Sequence, residues 1–324
     1  MRVVALPMRT RFRGLETREL ALLRGPRGWG EFGAFLEYDD AEAAHWLAAA
    51  IEQGWADPVA PVRDRVPVNA TVPAVAAEEV AVVLARFPGA RTAKVKVAER
   101  GQTLADDVAR VRAVRHELGP EGRVRVDANG AWNVDQAEHA AHALAPFDLE
   151  YLEQPCAGVE DLAELRERLR DWQLPIAADE SVRKAEDPLA VARAGAADLL
   201  VLKVAPLGGV RAALAIAEAA GLPVVVSSAI DSSVGLAAGV RLAAALPELD
   251  FDCGLGTAAL LAGDVAADPL LPAEGALPVR EVEPDPSLLD RWAAEAERVD
   301  WWRARIARCH RVLAESGDAA PADG

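Results

Sequence analysis

The sequence predicts an α/β protein, a parallel (β/α) barrel with a smaller α+β unit attached, and three observations lead there. From residue 67 onward short β-rich runs alternate with Ala-, Arg- and Glu-rich helical segments. There are eight such runs, recurring about every 25 residues, the period of a βα unit. At 324 residues the chain is long enough for one barrel-sized domain and an appendage. An open doubly wound sheet is the rival architecture, but it does not require eight evenly spaced strands.

Residues 1–66 read as the α+β unit. Runs at 20–23 and 30–35 flank the turn Gly25-Pro26-Arg27-Gly28 as a hairpin, and Asp39-Asp40 cap a helix through residue 52. The barrel, 67–275, takes its strands from 66–72, 93–97, 123–128, 149–154, 175–179, 199–204, 223–228 and 251–254. Polar residues mark the C-terminal ends: Lys96 to Asp127 is 31 residues, the next two steps to Glu153 and Asp179 are 26 each, and those to Lys203 and Ser227 are 24 each. The segment 276–324 is Pro-rich at first. A helix over 286–313 then carries Trp292, Trp301 and Trp302 and is expected to pack back on the N-terminal unit, with a disordered tail over 314–324.

Composition narrows the partners. A net charge of −16 argues against a nucleic-acid surface, which needs clustered Lys and Arg. Cys156, Cys253 and Cys309 form no metal-binding spacing and suit a reducing compartment. Arginines at 9, 11 and 13 stand where a secretory signal needs apolar residues, and no apolar run reaches the roughly 18 to 20 residues of a membrane span. The expectation is a cytoplasmic protein that handles small molecules and cations.

Barrel strands run parallel, so Lys96, Asp127, Glu153, Asp179 and Lys203 fall at one face, where barrel enzymes do their chemistry. Taken singly, an Asp at a strand end is a helix cap, and Asp179 can cap the next helix. Taken together, three carboxylates on adjacent strands converge within roughly 10 Å and need a cation. With oxygen ligands only, and no histidine at a strand end, the ion expected is Mg²⁺ or, as a substitute, Mn²⁺. Only four residues in the chain are lysine, against 31 arginines, and Lys94, Lys96 and Lys203 all fall on this pattern. Lysine, unlike arginine, can lose its proton, and a dication and a second ammonium both favour neutral Lys96, the state a base needs. At the last two strand ends, Ser227, Ser228, Gly254 and Gly256 offer hydroxyls and backbone N–H groups to a substrate carboxylate, or serve only as turn residues. Arg13, with Arg9 and Arg11, can attract a dianionic carboxylate substrate from the N-terminal unit or stay a surface residue.

As a set, Lys94-Val95-Lys96, Asp127-Ala128-Asn129, Glu153-Gln154-Pro155, Asp179-Glu180-Ser181 and Leu202-Lys203 resemble the motifs of the enolase superfamily, muconate-lactonising-enzyme subgroup, over nearly the whole chain. That resemblance implies a modified TIM barrel with a capping domain built from the N-terminal segment and the C-terminal helix. Residues 7–13, and 28–33 with Glu37-Tyr38-Asp39, are similar to the o-succinylbenzoate synthase branch of menaquinone biosynthesis. Such a branch implies a Mg²⁺-dependent syn dehydration of 2-succinyl-6-hydroxy-2,4-cyclohexadiene-1-carboxylate. By the same resemblance Asp127, Glu153 and Asp179 hold the metal, Lys96 moves the proton, Lys94 assists electrostatically, Lys203 stabilises the enediolate, and Asn129 supports the site. Three rivals stay open. Lys96 and Lys203 suit a two-base N-acylamino acid racemase or dipeptide epimerase. Lys203 suits a Schiff-base aldolase, which leaves the carboxylates unexplained. A binding scaffold needs none of these residues.

Overall fold

The computed structural model describes residues 1–12, 14–184 and 187–317. Three antiparallel strands, β1 (Arg2–Phe12), β2 (Leu15–Arg24) and β3 (Trp29–Phe32), make the N-terminal sheet. The expected hairpin forms at 25–28, where Arg24 pairs with Trp29 and Gly25 N–H donates to Gly28 O at 2.8 Å. Asp39 caps the helix Asp40–Trp55 by accepting from Glu42 N–H at 2.8 Å. This helix lies so close on β3 that a Cβ at Gly30 would stand 1.9 Å from Ala50 O.

The C-terminal part of the chain returns to this unit, in two helices rather than the single expected one: Pro286–Arg291 and Ala296–Ser316. Between them the backbone pairs with β1, Ala5 N–H donating to Trp292 O at 2.8 Å and Ala294 N–H to Val3 O at 2.9 Å. Satisfying that strand edge outweighs helix continuity. Trp302 is fully buried edge-on to Phe32, and Arg305 donates to the carbonyls of Ala34, Phe35 and Tyr38. Helix persists through Ser316, so the expected disorder from 314 is corrected there, and Gly317 ends it at φ 79°. Residues 318–324 of that expected tail lie outside the described residues.

The barrel sheet is all parallel. Its strands β5 (Ala70–Val72), β6 (Thr92–Lys96), β7 (Arg123–Asp127), β8 (Leu149–Glu153), β9 (Ile176–Ala178), β10 (Leu199–Leu202) and β11 (Val224–Val226) neighbour one another in chain order. The expected first strand, 66–72, divides: β4 (Arg65–Pro67) pairs antiparallel with β12 (Ala276–Pro278), and only β5 joins the barrel. Pro67 has no N–H to give a ladder. The expected eighth strand is reduced to bridges at Cys253 and Gly254, which still close the ring. Cys253 N–H donates to Pro67 O at 2.8 Å, Asn69 N–H to Cys253 O at 3.0 Å, and Gly254 N–H to Val226 O at 2.8 Å. Inside, Tyr151, Ala177, Leu199, Val201 and Val225 pack as a plug beneath the rim. Among the described residues no helix is long and apolar enough to cross a membrane.

Cap and barrel meet at Glu31 on β3. Its carboxylate accepts from Ser232 N–H (3.2 Å), the Ser232 hydroxyl and Gly235 N–H (3.3 Å), at the start of the barrel helix Ser233–Ala245. Burial, and then neighbouring Asp231, push this carboxyl up to about 8 against the pull of Ser232 and Arg18, with Asp264 adding to the rise. Because the native state holds a proton that the unfolded chain releases earlier, this contribution to stability is full in acid and is lost as pH climbs from the ordinary carboxylate range through about 8. Melting temperature measured across that range should fall less steeply in Glu31→Gln than in the wild type. An equal slope in the variant would remove Glu31 as the source.

Candidate active site

The polar strand ends assemble into one rim. Counting the Cys253-Gly254 bridge as the eighth position of the ring, β6 and β10 stand diametrically opposite, so Lys96 and Lys203 face each other across the mouth. Between them on one side come Asp127, Glu153 and Asp179, from β7, β8 and the turn after β9. All three carboxylates are fully buried.

Each carboxylate is met by cations. Lys96 Nζ donates to Asp127 Oδ2 at 2.5 Å and to Asn129 Oδ1 at 2.6 Å. Lys203 Nζ donates to Asp179 Oδ2 at 2.5 Å, and Arg183 Nε to Asp179 Oδ1 at 3.0 Å. Lys94 points to the same side as Lys96 but from deeper in the barrel. Its strand partner is Arg125, whereas that of Lys96 is Asp127, so Lys94 sits one layer lower and reaches up to Glu153 Oε1 (2.8 Å) and Asp127 Oδ2 (3.3 Å). Its side chain is 7% exposed against 17% for Lys96, which leaves Lys96 the more reachable amine.

The electrostatics separate the residues further. Burial disfavours the Lys94 charge, but Glu153 and Asp127 outweigh it and hold its proton more firmly than an ordinary lysine's. Lys94 is therefore a fixed cation. For Lys203 burial prevails over Asp179, with Arg183 and Lys94 adding to it, and the proton affinity is lowered. Burial alone would raise Asp127 and Asp179, yet Lys96 and Lys94 hold the first, and Lys203 and Arg183 the second, well below the usual carboxylate range. Glu153 is the exception, pushed up to about 7 by burial and by Asp127 against the pull of Lys94.

Among the described residues no three acidic, imidazole or thiol side chains are drawn together as a ready cage, and the ammonium groups of Lys94, Lys96 and Lys203 bond the carboxylate oxygens. The donor set nonetheless fits a hard cation. Glu153 Oε2 and Glu180 Oε2 are both buried without a hydrogen-bond partner, and every acceptor at the rim is oxygen.

Four residues that sequence reasoning gave no role complete the site. Gln154 joins two strand ends: its Oε1 accepts from Asp179 N–H (2.9 Å) and Ser181 N–H (3.1 Å), and its Nε2 donates to Ser181 Oγ (2.6 Å) and Cys156 O (2.8 Å). Glu180 accepts from Asn129 Nδ2 at 3.1 Å and Arg183 at 2.6 Å, so Asn129 links Lys96 to the turn after β9. Phe12, at the end of β1, places its ring 5.7 Å from Lys96 Nζ. The available signals were the Glu153-Gln154-Pro155 motif for Gln154 and the segment 7–13 for Phe12, but neither says which atoms these side chains meet. The fourth lysine, Lys184, lies 4.6 Å from the Tyr38 ring and 3.8 Å from Glu42.

The remaining expected residues lie on the β11 side. Ser228 Oγ donates to Gly254 O at 2.7 Å and lies 2.8 Å from Thr257 Oγ1, while Ser227 Oγ reaches Gly254 O at 3.4 Å. Gly256 begins the short helical turn that carries Thr257. Arg13 lies outside the described residues. Arg9 and Arg11 are exposed on β1, Arg11 donating to Gly14 O at 3.4 Å.

Both parts of the chain match known families. Residues 76–284 match the enolase C-terminal domain-like family and residues 3–54 the enolase N-terminal domain-like family. An o-succinylbenzoate synthase of Mycobacterium bovis is 62% identical over 97% of this chain and 94% of its own length. The chain belongs to the o-succinylbenzoate synthase family. A second relative of that name, from Mycobacterium ulcerans, is 61% identical over 98% of this chain and 96% of its own. Muconate lactonizing enzyme from Pseudomonas fluorescens, solved with muconolactone, shares the fold at a TM-score of 0.77 and 24% identity, covering 90% of this chain and 97% of that one. Membership makes the protein an enzyme of the lyase class, in a superfamily whose members typically use a divalent metal.

Gln154 offers the cleanest test of the rim. Gln154→Ala strips Asp179 N–H and Ser181 N–H of their acceptor and should lower turnover or metal affinity about 10- to 100-fold, read by kinetics and metal titration. Retention of both would detach Gln154 from the site.

Proposed function

We propose that this enzyme dehydrates 2-succinyl-6-hydroxy-2,4-cyclohexadiene-1-carboxylate to 2-succinylbenzoate, with Lys96 as the group that moves the proton. The observation that carries this is the rim itself: an accessible amine, backed by Asn129 and Asp127, beside three buried carboxylates and opposite a second lysine. Such an arrangement suits removal of a proton next to a carboxylate.

Asp127, Glu153 and Asp179 would hold Mg²⁺, with Mn²⁺ as a substitute; when bound it supplies positive charge where the substrate carboxylate becomes more negative. Lys96 Nζ, as the free amine, takes the ring proton α to that carboxylate. The electron pair left behind becomes the new ring double bond as the C–OH bond breaks, and the Lys96 ammonium returns the proton to the departing hydroxyl, releasing water. One amine on one face serves both transfers, which gives syn elimination. Lys94 stays protonated throughout and adds positive charge from below the carboxylates, and Lys203 adds it from the far side of the mouth. In this reading Ser227, Ser228 and the backbone near Gly254 and Gly256 would receive the succinyl carboxylate. An aromatic product makes the elimination strongly downhill. Menaquinone biosynthesis, in the cytoplasm, is the setting this reading implies.

Purified enzyme with the cyclohexadiene substrate and Mg²⁺ should form the aromatic product, lose that ability in EDTA and regain it when Mg²⁺ is restored; no aromatic product at all would overturn the reading. Lys96→Ala should lower kcat by about 10³-fold, the ordinary reach of a positioned proton-transfer group.

The placement of Lys203 opposite Lys96 supports a second activity on the same rim, inversion of N-acylamino acids by two bases. In D₂O, inversion of an N-succinylamino acid would be abolished by Lys203→Ala if that activity is present, while α-proton exchange would persist in the enantiomer whose proton faces Lys96. Absence of exchange in the wild type excludes it.

A further inference from the structure

The loop that follows β11 carries a conformational anomaly. Ile230 is buried, β-branched, and held at φ 61°, in the left-handed region that branched side chains avoid. It lies two residues beyond Ser228, so the direction of its backbone sets where the Ser227 and Ser228 hydroxyls stand. Something must hold a residue of this kind in place, and three contacts do.

Asp231 Oδ2 accepts from Ala229 N–H at 3.1 Å, clamping the backbone on either side of Ile230. The other two contacts come from the cap. Arg18, on β2, donates from Nε to Ile230 O at 3.1 Å and from its terminal nitrogen to Gly33 O. Glu31, on β3, takes Ser232 N–H, the Ser232 hydroxyl and Gly235 N–H. The last contact is close enough that a Cβ at Gly235 would lie 2.4 Å from Glu31 Oε1, so glycine is required there. Glu31 and Asp231 also line one small cavity together with Lys203, Ser227 and Ser228, which brings these contacts up to the Lys203 side of the rim.

We propose that Glu31 and Arg18 are positioning residues: from the cap they hold the 229–232 loop in its strained form, and thereby set the Ser227-Ser228 arm that receives the part of the substrate remote from Lys96. The proposal rests on the dehydration reading for its substrate but not for its geometry. A loop held this way governs binding of the remote carboxylate and leaves the proton transfer at Lys96 largely alone.

The test uses the full-length enzyme and two measurements. In kinetics with the cyclohexadiene substrate, Glu31→Ala should raise KM about tenfold while kcat changes by less than about threefold, and Glu31→Gln, which keeps the shape and an acceptor for Ser232 N–H, should restore most of the loss. Glu31→Ala combined with Ile230→Gly should recover KM relative to Glu31→Ala alone, because glycine adopts the left-handed conformation without being held. A merely structural role would lower the melting temperature and the active fraction with KM unmoved, and that result, or a fall confined to kcat, overturns the proposal. The second measurement is amide hydrogen exchange over 227–235, which needs no substrate. Faster exchange there in Glu31→Ala supports the proposal, and unchanged exchange overturns it. If the wild type fails to turn over the cyclohexadiene, the dehydration reading falls, and the exchange result still decides the role of Glu31.

Discussion

Three carboxylates with no exposed surface, Asp127, Glu153 and Asp179, impose the condition that the rest of the rim satisfies. An isolated anion in such surroundings is strongly disfavoured, and an ion pair is only as good as its geometry and its remaining hydrogen bonds. Lys94, Lys96, Lys203 and Arg183 meet them at 2.5 to 3.3 Å, and Gln154 fixes the turn on which Asp179 sits. Those cations differ in what they are free to do. Lys94 and Arg183 are locked beneath or beside the anions, whereas Lys96 and Lys203 stand at the open edge. A closed ring of parallel strands makes the difference possible, because it converts a period in the chain into a circle of side chains with an inside, an edge and opposite sides.

The cap supplies what the ring lacks. Barrel strands end abruptly at the rim, and the side chains that cover it come from elements distant in sequence: Phe12 over Lys96, Tyr38 against Arg183, Glu31 and Arg18 against the loop after β11. Proton chemistry belongs to residues of the strands, whereas enclosure and shape belong to the cap. The two layers meet through buried hydrogen bonds rather than through an apolar seam alone, which makes their relative placement specific.

Much of this was legible in the sequence, and the physical reason is periodicity. Parallel strands buried on both faces read as valine and leucine runs, and a polar residue closing each run has few places to be except the rim, so Lys96, Asp127, Glu153, Asp179 and Lys203 declared themselves. What stayed hidden follows from contacts that carry no local pattern. The depth of Lys94 depends on strand register, the division of the first strand on a competing partner at 276–278, and the break at 292–295 on an edge of β1 that needed pairing. Gln154 was visible as a residue but not as a joint, since its four partners lie in another turn of the ring or beyond a proline. Phe12, Arg18 and Glu31 act across the layer boundary, where spacing along the chain says nothing.

One feature of the architecture bears on how the molecule is made. The cap is assembled from the first and the last parts of the chain: Ala293 bridges to Val4, and Ala296–Ser316 lies against Asp40–Trp55. During synthesis the barrel strands emerge in the order in which they pair, neighbour after neighbour, while the N-terminal sheet waits for a helix that follows all of them in the chain. Completion of the cap is thus a long-range event that follows the ring, and the rim acquires its full cover only after residues 296–316 have left the ribosome.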